Sequence, residues 1–295
     1  MRRPLAAILL CLALALNIAA LVLPFLQVAV GLGGAETYSL LHTVRLLWNS
    51  GFPGLAVLVA GFSVVFPFAK LAVLGGVCAG RLDPVWGSRV GAVAKWSMLD
   101  LFLVVLLLAI AYDRILVTAT PEPGLLCFAL AITCSMLAGE LLHPPEDAAV
   151  PPRRGAAMAL LVACAFLGTF AALLLPLFST DAWFLNDVAY SIVGLVPALW
   201  KSGAAVPAIA VALFLIAMPL VRLACLVLVR RRGGPWAGRA ALLSRWSMLE
   251  PFALALAIFV VEGKEQVPTA LAPGAVALAV AIAISTVAAW ILSRR

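Results

Sequence analysis

The chain has 295 residues, of which 65% are hydrophobic and 11% charged, with mean hydropathy +1.16. That is more apolar surface than a soluble domain of this length needs, and it points to a membrane protein. The net charge of +7 would suit a nucleic-acid binder, but the charges are placed otherwise, as shown below.

Eight apolar stretches follow one another, at residues 5–30, 52–78, 96–112, 124–142, 156–179, 204–229, 246–262 and 269–292. Lipid offers the backbone no hydrogen bonds, so each is expected to be a helix. The short alternating segments of a β-barrel are not seen. The first stretch, after Met1-Arg2-Arg3, has the look of a cleaved signal peptide. We reject that reading because the stretch has a counterpart deep in the chain.

After the first span, Leu40, Leu41, Val44, Leu47 and Trp48 recur at helical spacing, which predicts an amphipathic helix at the outer membrane face. Ser50-Gly51 then turns the chain into span two. Ile192, Val196, Leu199 and Trp200 repeat the pattern later. Trp48, Trp96, Trp200 and Trp246 are expected interfacial anchors. His42 alone is no metal signal. The six cysteines form no C-x-x-C pair, so neither disulfide, metal nor cofactor is expected.

With the N-terminus in the cytoplasm, 14 of the 20 Lys and Arg residues fall in cytoplasmic segments. The outer loops hold 4, namely Arg45, Arg114, Lys201 and Lys264. This is the positive-inside bias, and it places both termini in the cytoplasm. Topology accounts for the basic residues, and no nucleic-acid partner is expected.

The chain repeats itself. Leu23-Pro24, Tyr38-Ser39, Trp48, Ser50-Gly51, Pro67 and Lys70 match Leu175-Pro176, Tyr190-Ser191, Trp200, Ser202-Gly203, Pro219 and Arg222 at one offset of 152 residues. Lys95-Trp96-Ser97-Met98-Leu99-Asp100 matches Arg245-Trp246-Ser247-Met248-Leu249-Glu250 at an offset of 150. Such a register marks an internal repeat. The expected fold is therefore all-α and polytopic: two tandem four-helix units, 1–143 and 155–295, each with an interfacial periplasmic helix. An even number of spans gives both units the same orientation, related by an axis along the membrane normal. The join at 144–154, with Pro144, Pro145, Pro151 and Pro152, reads as a stiff cytoplasmic linker.

Tyr38-Ser39-Leu40-Leu41, Leu47-Trp48-Asn49-Ser50-Gly51, Ser63-Val64-Val65-Phe66-Pro67-Phe68-Ala69-Lys70 and Lys95-Trp96-Ser97-Met98-Leu99-Asp100 resemble the paraquat-inducible protein A family. The resemblance covers both units. It implies an inner-membrane protein of a Gram-negative-type envelope. It also implies a partner carrying MCE domains, which bridges the periplasm and moves phospholipid between membranes. Members commonly carry zinc ribbons with paired C-x-x-C motifs before the first span of each unit. Here about three residues precede span one and the linker has no Cys.

Ionisable groups inside spans are costly, by about 2.5–3.5 kcal/mol on insertion scales, and so are functional candidates. Lys70 in span two and Asp100 in span three lie at similar depth on antiparallel helices, where they can pair. Ser63, Ser97, Thr133 and Ser135 extend a candidate proton path across unit one. In unit two, Arg222, Ser247, Glu250 and Ser285 correspond, and Leu215 stands where Ser63 would be. Lysine can give up its proton when desolvated, whereas arginine does not. Unit one therefore suits a relay and unit two a permanent ion pair. The competing reading of both pairs is helix glue.

Two functions follow from these readings: a membrane component of lipid transfer, for which protons are the candidate drive, or an anchor that only seats a periplasmic partner. No H-E-x-x-H, G-x-S-x-G or Walker A sequence occurs, which argues against an enzyme.

Overall fold

The computed structural model describes residues 2–30, 34–51, 53–112, 117–143, 155–182, 185–232, 236–263 and 269–293. The proposed linker, 144–154, lies outside these. The chain divides into two compact units, Met1–Pro144 with Lys201–Pro207 and Pro145–Trp200 with Ala208–Arg295.

Unit one runs α1 (Arg2–Val22), β1 (Leu26–Val30), β2 (Ala35–Tyr38), α2 (Leu40–Asn49), α3 (Pro53–Val59), a π-helical segment (Ala60–Val65) and α4 (Phe66–Cys78). It continues with α5 (Pro84–Val93), a 3-10 segment (Ala94–Met98), α6 (Leu99–Tyr112), β3 (Val117–Pro121) and α7 (Pro123–Leu142). The second half follows nearly the same order: α8 (Ala156–Leu174), β4 (Phe178–Ala182), β5 (Leu185–Tyr190), α9 (Ile192–Lys201), α10 (Ala205–Ala210) and a π-helical segment (Val211–Ala217). Then come α11 (Met218–Arg232), α12 (Trp236–Trp246), α13 (Leu249–Gly263), β6 (Thr269–Leu271) and α14 (Pro273–Ser293).

Among the described residues, 7 helical segments, the last of them broken at Ser247 and Met248, are long and apolar enough to cross a membrane: Arg3–Val22, Ala60–Cys78, Val85–Ala109, Pro123–Leu142, Ala156–Leu174, Ala205–Arg231 and Gly238–Val261. The region expected to hold an eighth span forms α14, apolar over Pro273–Ala288.

Three expected boundaries need correction. The first apolar stretch ends as a helix at Val22 and the fifth at Leu174; β1 and β4 then begin. Pro24 and Pro176 explain both stops, because the residue before a proline is pushed out of the helical region. The eighth stretch begins as a strand, β6, and becomes helical only at Pro273. Each unit thus carries a three-stranded antiparallel sheet, of order β2-β1-β3 or β5-β4-β6, that the apolar pattern did not foretell. In the first, Leu26 pairs with Tyr38 on one side and Pro121 on the other.

The sheets tie the ends of the long helices together. Gly124 N–H donates to Pro24 O at 2.8 Å and Gly274 N–H to Pro176 O at 2.7 Å. A Cβ at Gly124 would stand 2.5 Å from the Pro24 oxygen, and one at Gly274 would press on the Pro176 oxygen. Only glycine allows this approach. From these joints α7 packs along α1, and α14 along α8. Small residues line the contacts: Ala6, Ala13, Ala131, Ala138, Ala165, Ala172, Ala281 and Ala288 are fully buried, as expected where helices must approach closely in lipid.

The short helices α2 and α9 form where expected. Ser39 and Ser191 cap them, each hydroxyl accepting a backbone N–H, from His42 at 3.3 Å and Gly194 at 3.1 Å. Gly51 and Gly203 end the turns at φ +86 and +81, a conformation that favours glycine. Trp48 and Trp200 project from the ends of these helices, 58% and 61% exposed.

Candidate functional site

The second long helix of each unit is distorted, and sequence explains where. In the π segments, Phe66 N–H reaches back to Gly61 O and Met218 N–H to Leu213 O. In an α-helix those donors would serve Phe62 and Phe214. The next residues, Pro67 and Pro219, have no N–H to replace them. The carbonyls of Phe62 and Phe214 are therefore left without a donor from their own helix. Such π turns are rare and frequently mark functional sites.

The third long helix is interrupted at the matching place. In unit one the break is the 3-10 segment Ala94–Met98; in unit two it is two non-helical residues, Ser247 and Met248. There the two irregularities meet: Met248 N–H donates to Phe214 O at 3.3 Å. Trp246 stacks on the Phe214 ring, with centroids 6.1 Å apart. This Trp therefore has an internal packing partner. Trp96 is half-buried in the 3-10 segment.

Each break restarts a helix with an acid in its first turn, Asp100 in α6 and Glu250 in α13. Free N–H groups and the helix dipole favour negative charge there. Asp100 is buried, as are Ser63, Lys70 and Ser97. The Ser63 hydroxyl donates to Asp100 Oδ2. Asp100 Oδ1, Lys70 Nζ and Ser97 Oγ are buried without a hydrogen-bond partner among the described residues. Ser63 and Lys70 would share a face on a regular helix. Ser63 lies within the π turn Ala60–Val65, whose extra residue shifts the register by about 100° around the axis. Ser63 thus reaches Asp100, while Lys70 makes no hydrogen bond to it. Thr133 and Ser135 turn back onto their own helix, bonding Ala129 O at 2.8 Å and Ile132 O at 2.7 Å. The six residues of the candidate path are thus joined by hydrogen bonds only at Ser63–Asp100.

Unit two is wired differently. Arg222 Nη2 donates to Ser285 O at 3.3 Å, and Glu250 acts on the guanidinium through its charge. Ser285 Oγ bonds Ile282 O at 3.1 Å, and Ser247 is buried. Leu215 is fully buried where unit one has its Ser63 hydroxyl.

Two buried polar residues escaped the sequence reading. Asn17 Nδ2 donates to Ala13 O at 3.0 Å and Thr169 Oγ1 to Ala165 O at 2.8 Å. They occupy matching positions at the repeat offset of 152, which is the signal that would have found them. Among the described residues no cluster of three or more His, Cys, Asp or Glu forms a metal site.

The chemistry of the unit-one cluster is that of a buried acid and a buried amine. An unpaired charge on either buried group is heavily penalised, and among the described residues only Asp100 has a hydrogen-bond partner, the Ser63 hydroxyl.

Comparison with known proteins gives the family. The model of "Paraquat-inducible protein A" matches the chain in two copies, residues 2–146 and 155–295. Curated relatives named "Intermembrane transport protein PqiA" from Escherichia coli K12 and from Shigella flexneri are 26% identical over 123 residues. That match covers 38% of this chain and 29% of each relative. No solved structure matches. With both halves matched by the same family model, the chain belongs to the paraquat-inducible protein A family.

Proposed function

We propose that this chain is the inner-membrane component of a lipid-trafficking system, working with a periplasm-spanning partner that carries MCE domains. Eight spans form two four-helix units, 1–143 and 155–295, in one orientation around a cytoplasmic linker at 144–154. Both termini are cytoplasmic. The relatives' printed role in intermembrane transport supports this reading. Phospholipid is the substrate class, and unit one couples its movement to protons.

The observation that carries the coupling is the buried Ser63–Asp100 hydrogen bond, with a second buried ionisable group, Lys70, farther along the helix that carries Ser63. Helix glue would be expected to join Lys70 directly to Asp100. Instead, the amine has no hydrogen-bond partner among the described residues, which leaves it available to exchange a proton rather than locked in a bridge. In unit two the Arg222–Ser285 bond favours a structural role for that half.

The test is Asp100→Asn, which keeps shape and removes charge. The variant is expected to insert and express normally but to fail to rescue the envelope-permeability defect of a deletion strain. Full rescue would return the site to a structural role and favour the anchor.

A further inference from the structure

The repeat contains a second matched pair that the proposed function does not use. Trp86 and Arg89 sit in α5, and Trp236 and Arg239 in α12, each matching at the offset of 150. In both helices the spacing is i, i+3, which puts the two side chains on one face. The Arg89 guanidinium carbon lies 5.4 Å from the centroid of the Trp86 ring, and that of Arg239 4.5 Å from the Trp236 ring. These are cation–π stacks.

Both stacks occupy the same end of their unit. Val90 of α5 packs with Leu10, Leu74, Cys78 and Leu142, where α4 and α7 end. Trp236 and Leu243 of α12 pack with Met158, Val229 and Ile291, where α8 begins and α11 and α14 end. The sheets tie off the opposite ends of α1 and α8. Trp86 is 50% exposed, and Arg89 and Arg239 are exposed. Neither arginine makes a hydrogen bond or ion pair with another described residue. Asp83, the nearest acid in sequence to Arg89, uses Oδ1 to accept Val85 N–H at 2.8 Å.

A stacked guanidinium uses its face and keeps its planar fork of N–H donors at the edge. That edge is suited to bidentate contact with phosphate oxygens. Tryptophan places the pair at headgroup level. On the topology read from the sequence this end faces the cytoplasm, the side that carries most of the basic residues, so the partner is anionic. The surrounding bilayer supplies it.

We infer that the Trp86–Arg89 and Trp236–Arg239 stacks are a matched pair of binding sites for the phosphate of anionic phospholipids in the leaflet that meets this end of each unit. The inference rests on the membrane reading of the chain and not on transport.

The whole protein, reconstituted in phosphatidylcholine nanodiscs with a minor fraction of spin-labelled phosphatidylglycerol, gives the test. The readout is the preference of the protein-bound lipid fraction for phosphatidylglycerol over spin-labelled phosphatidylcholine. Arg89→Gln with Arg239→Gln is expected to cut that preference by about fivefold per site, the factor expected for one basic residue near a membrane surface. Trp86→Leu with Trp236→Leu, which keeps both charges, is expected to cut it too. Arg81→Gln, an unstacked control, is expected to change it less than twofold, and excess inorganic phosphate to leave it unchanged. An undiminished preference in the folded double-Gln variant, or an equal loss with Arg81→Gln, would overturn the inference by reducing the stacks to diffuse positive charge. Displacement by inorganic phosphate would overturn it as well.

Discussion

Removing one oxygen atom tests the core of the site. In Ser63→Ala the backbone, the π turn and the apolar packing stay as they are. Asp100 loses its hydroxyl donor and keeps both oxygens buried without a hydrogen-bond partner, since Oδ1 already lacks one. A hydrogen bond to a charged group contributes about 1.5–3 kcal/mol, so the single variant is expected to lose about 2 kcal/mol. If Asp100 is first changed to Asn, the hydroxyl faces a neutral amide and its removal is expected to cost only about 1 kcal/mol. A double-mutant cycle on reversible denaturation in mixed micelles should then give a coupling of about 1 kcal/mol. Distant, independent sites add within about 0.5 kcal/mol. Additivity inside that margin would refute the claim that Ser63 serves the Asp100 carboxylate.

The joints between helix ends should be equally sensitive. Gly124→Ala forces a methyl group against the Pro24 carbonyl and disturbs the Gly124–Pro24 bond, with an expected loss of about 2–4 kcal/mol in the same assay. Met248→Pro removes the N–H that serves Phe214 O, and should destabilise the chain by about 1–3 kcal/mol, more than Met248→Ala does. At the sheet, the Tyr38 phenol donates to Glu36 Oε2 at 2.6 Å, and this bond, with minor help from burial and the carboxylate charge, holds the phenol above its ordinary ionisation range. Ionisation ends the donation and sets two negative charges side by side, so the small stability contribution is present at neutral pH and lost as pH rises through the raised value. Glu36→Gln should bring the Tyr38 titration, followed by ultraviolet difference absorbance, down toward the ordinary value. An unchanged titration would count against the bond.

The recurring residues were legible in the sequence before their jobs were. Tyr38-Ser39 and Tyr190-Ser191 recur because the serines cap helices; Gly51 and Gly203 recur because positive φ ends them. Pro24 and Pro176 recur because their carbonyls receive the glycines of the facing helix. Pro67 and Pro219 could be matched, but not their consequence. A π turn is a choice of backbone hydrogen bonds, and apolar periodicity carries no trace of it. The same turn broke the expectation that Ser63 and Lys70 share one face. The sheets were hidden for another reason: strands of 3 to 6 residues are short, and Leu26–Val30 merges into the apolar run of the preceding helix while Thr269–Leu271 merges into that of the following one. Lys70, Asp100, Arg222 and Glu250 stood out by charge alone. Asn17 and Thr169 did not, since a lone uncharged side chain bonding its own helix looks like any other residue in a span.

The central claim is the proposal that Asp100, buried and bonded to Ser63, couples lipid movement to protons. Its most direct test is the rate at which labelled phospholipid passes between inner and outer membranes in cells, measured with and without a protonophore. The account predicts that the unaltered protein slows sharply when the proton gradient collapses, and that Asp100→Asn, expressed at the same level, is slow under both conditions. An Asp100→Asn rate equal to that of the unaltered protein, still falling with the gradient, would contradict it.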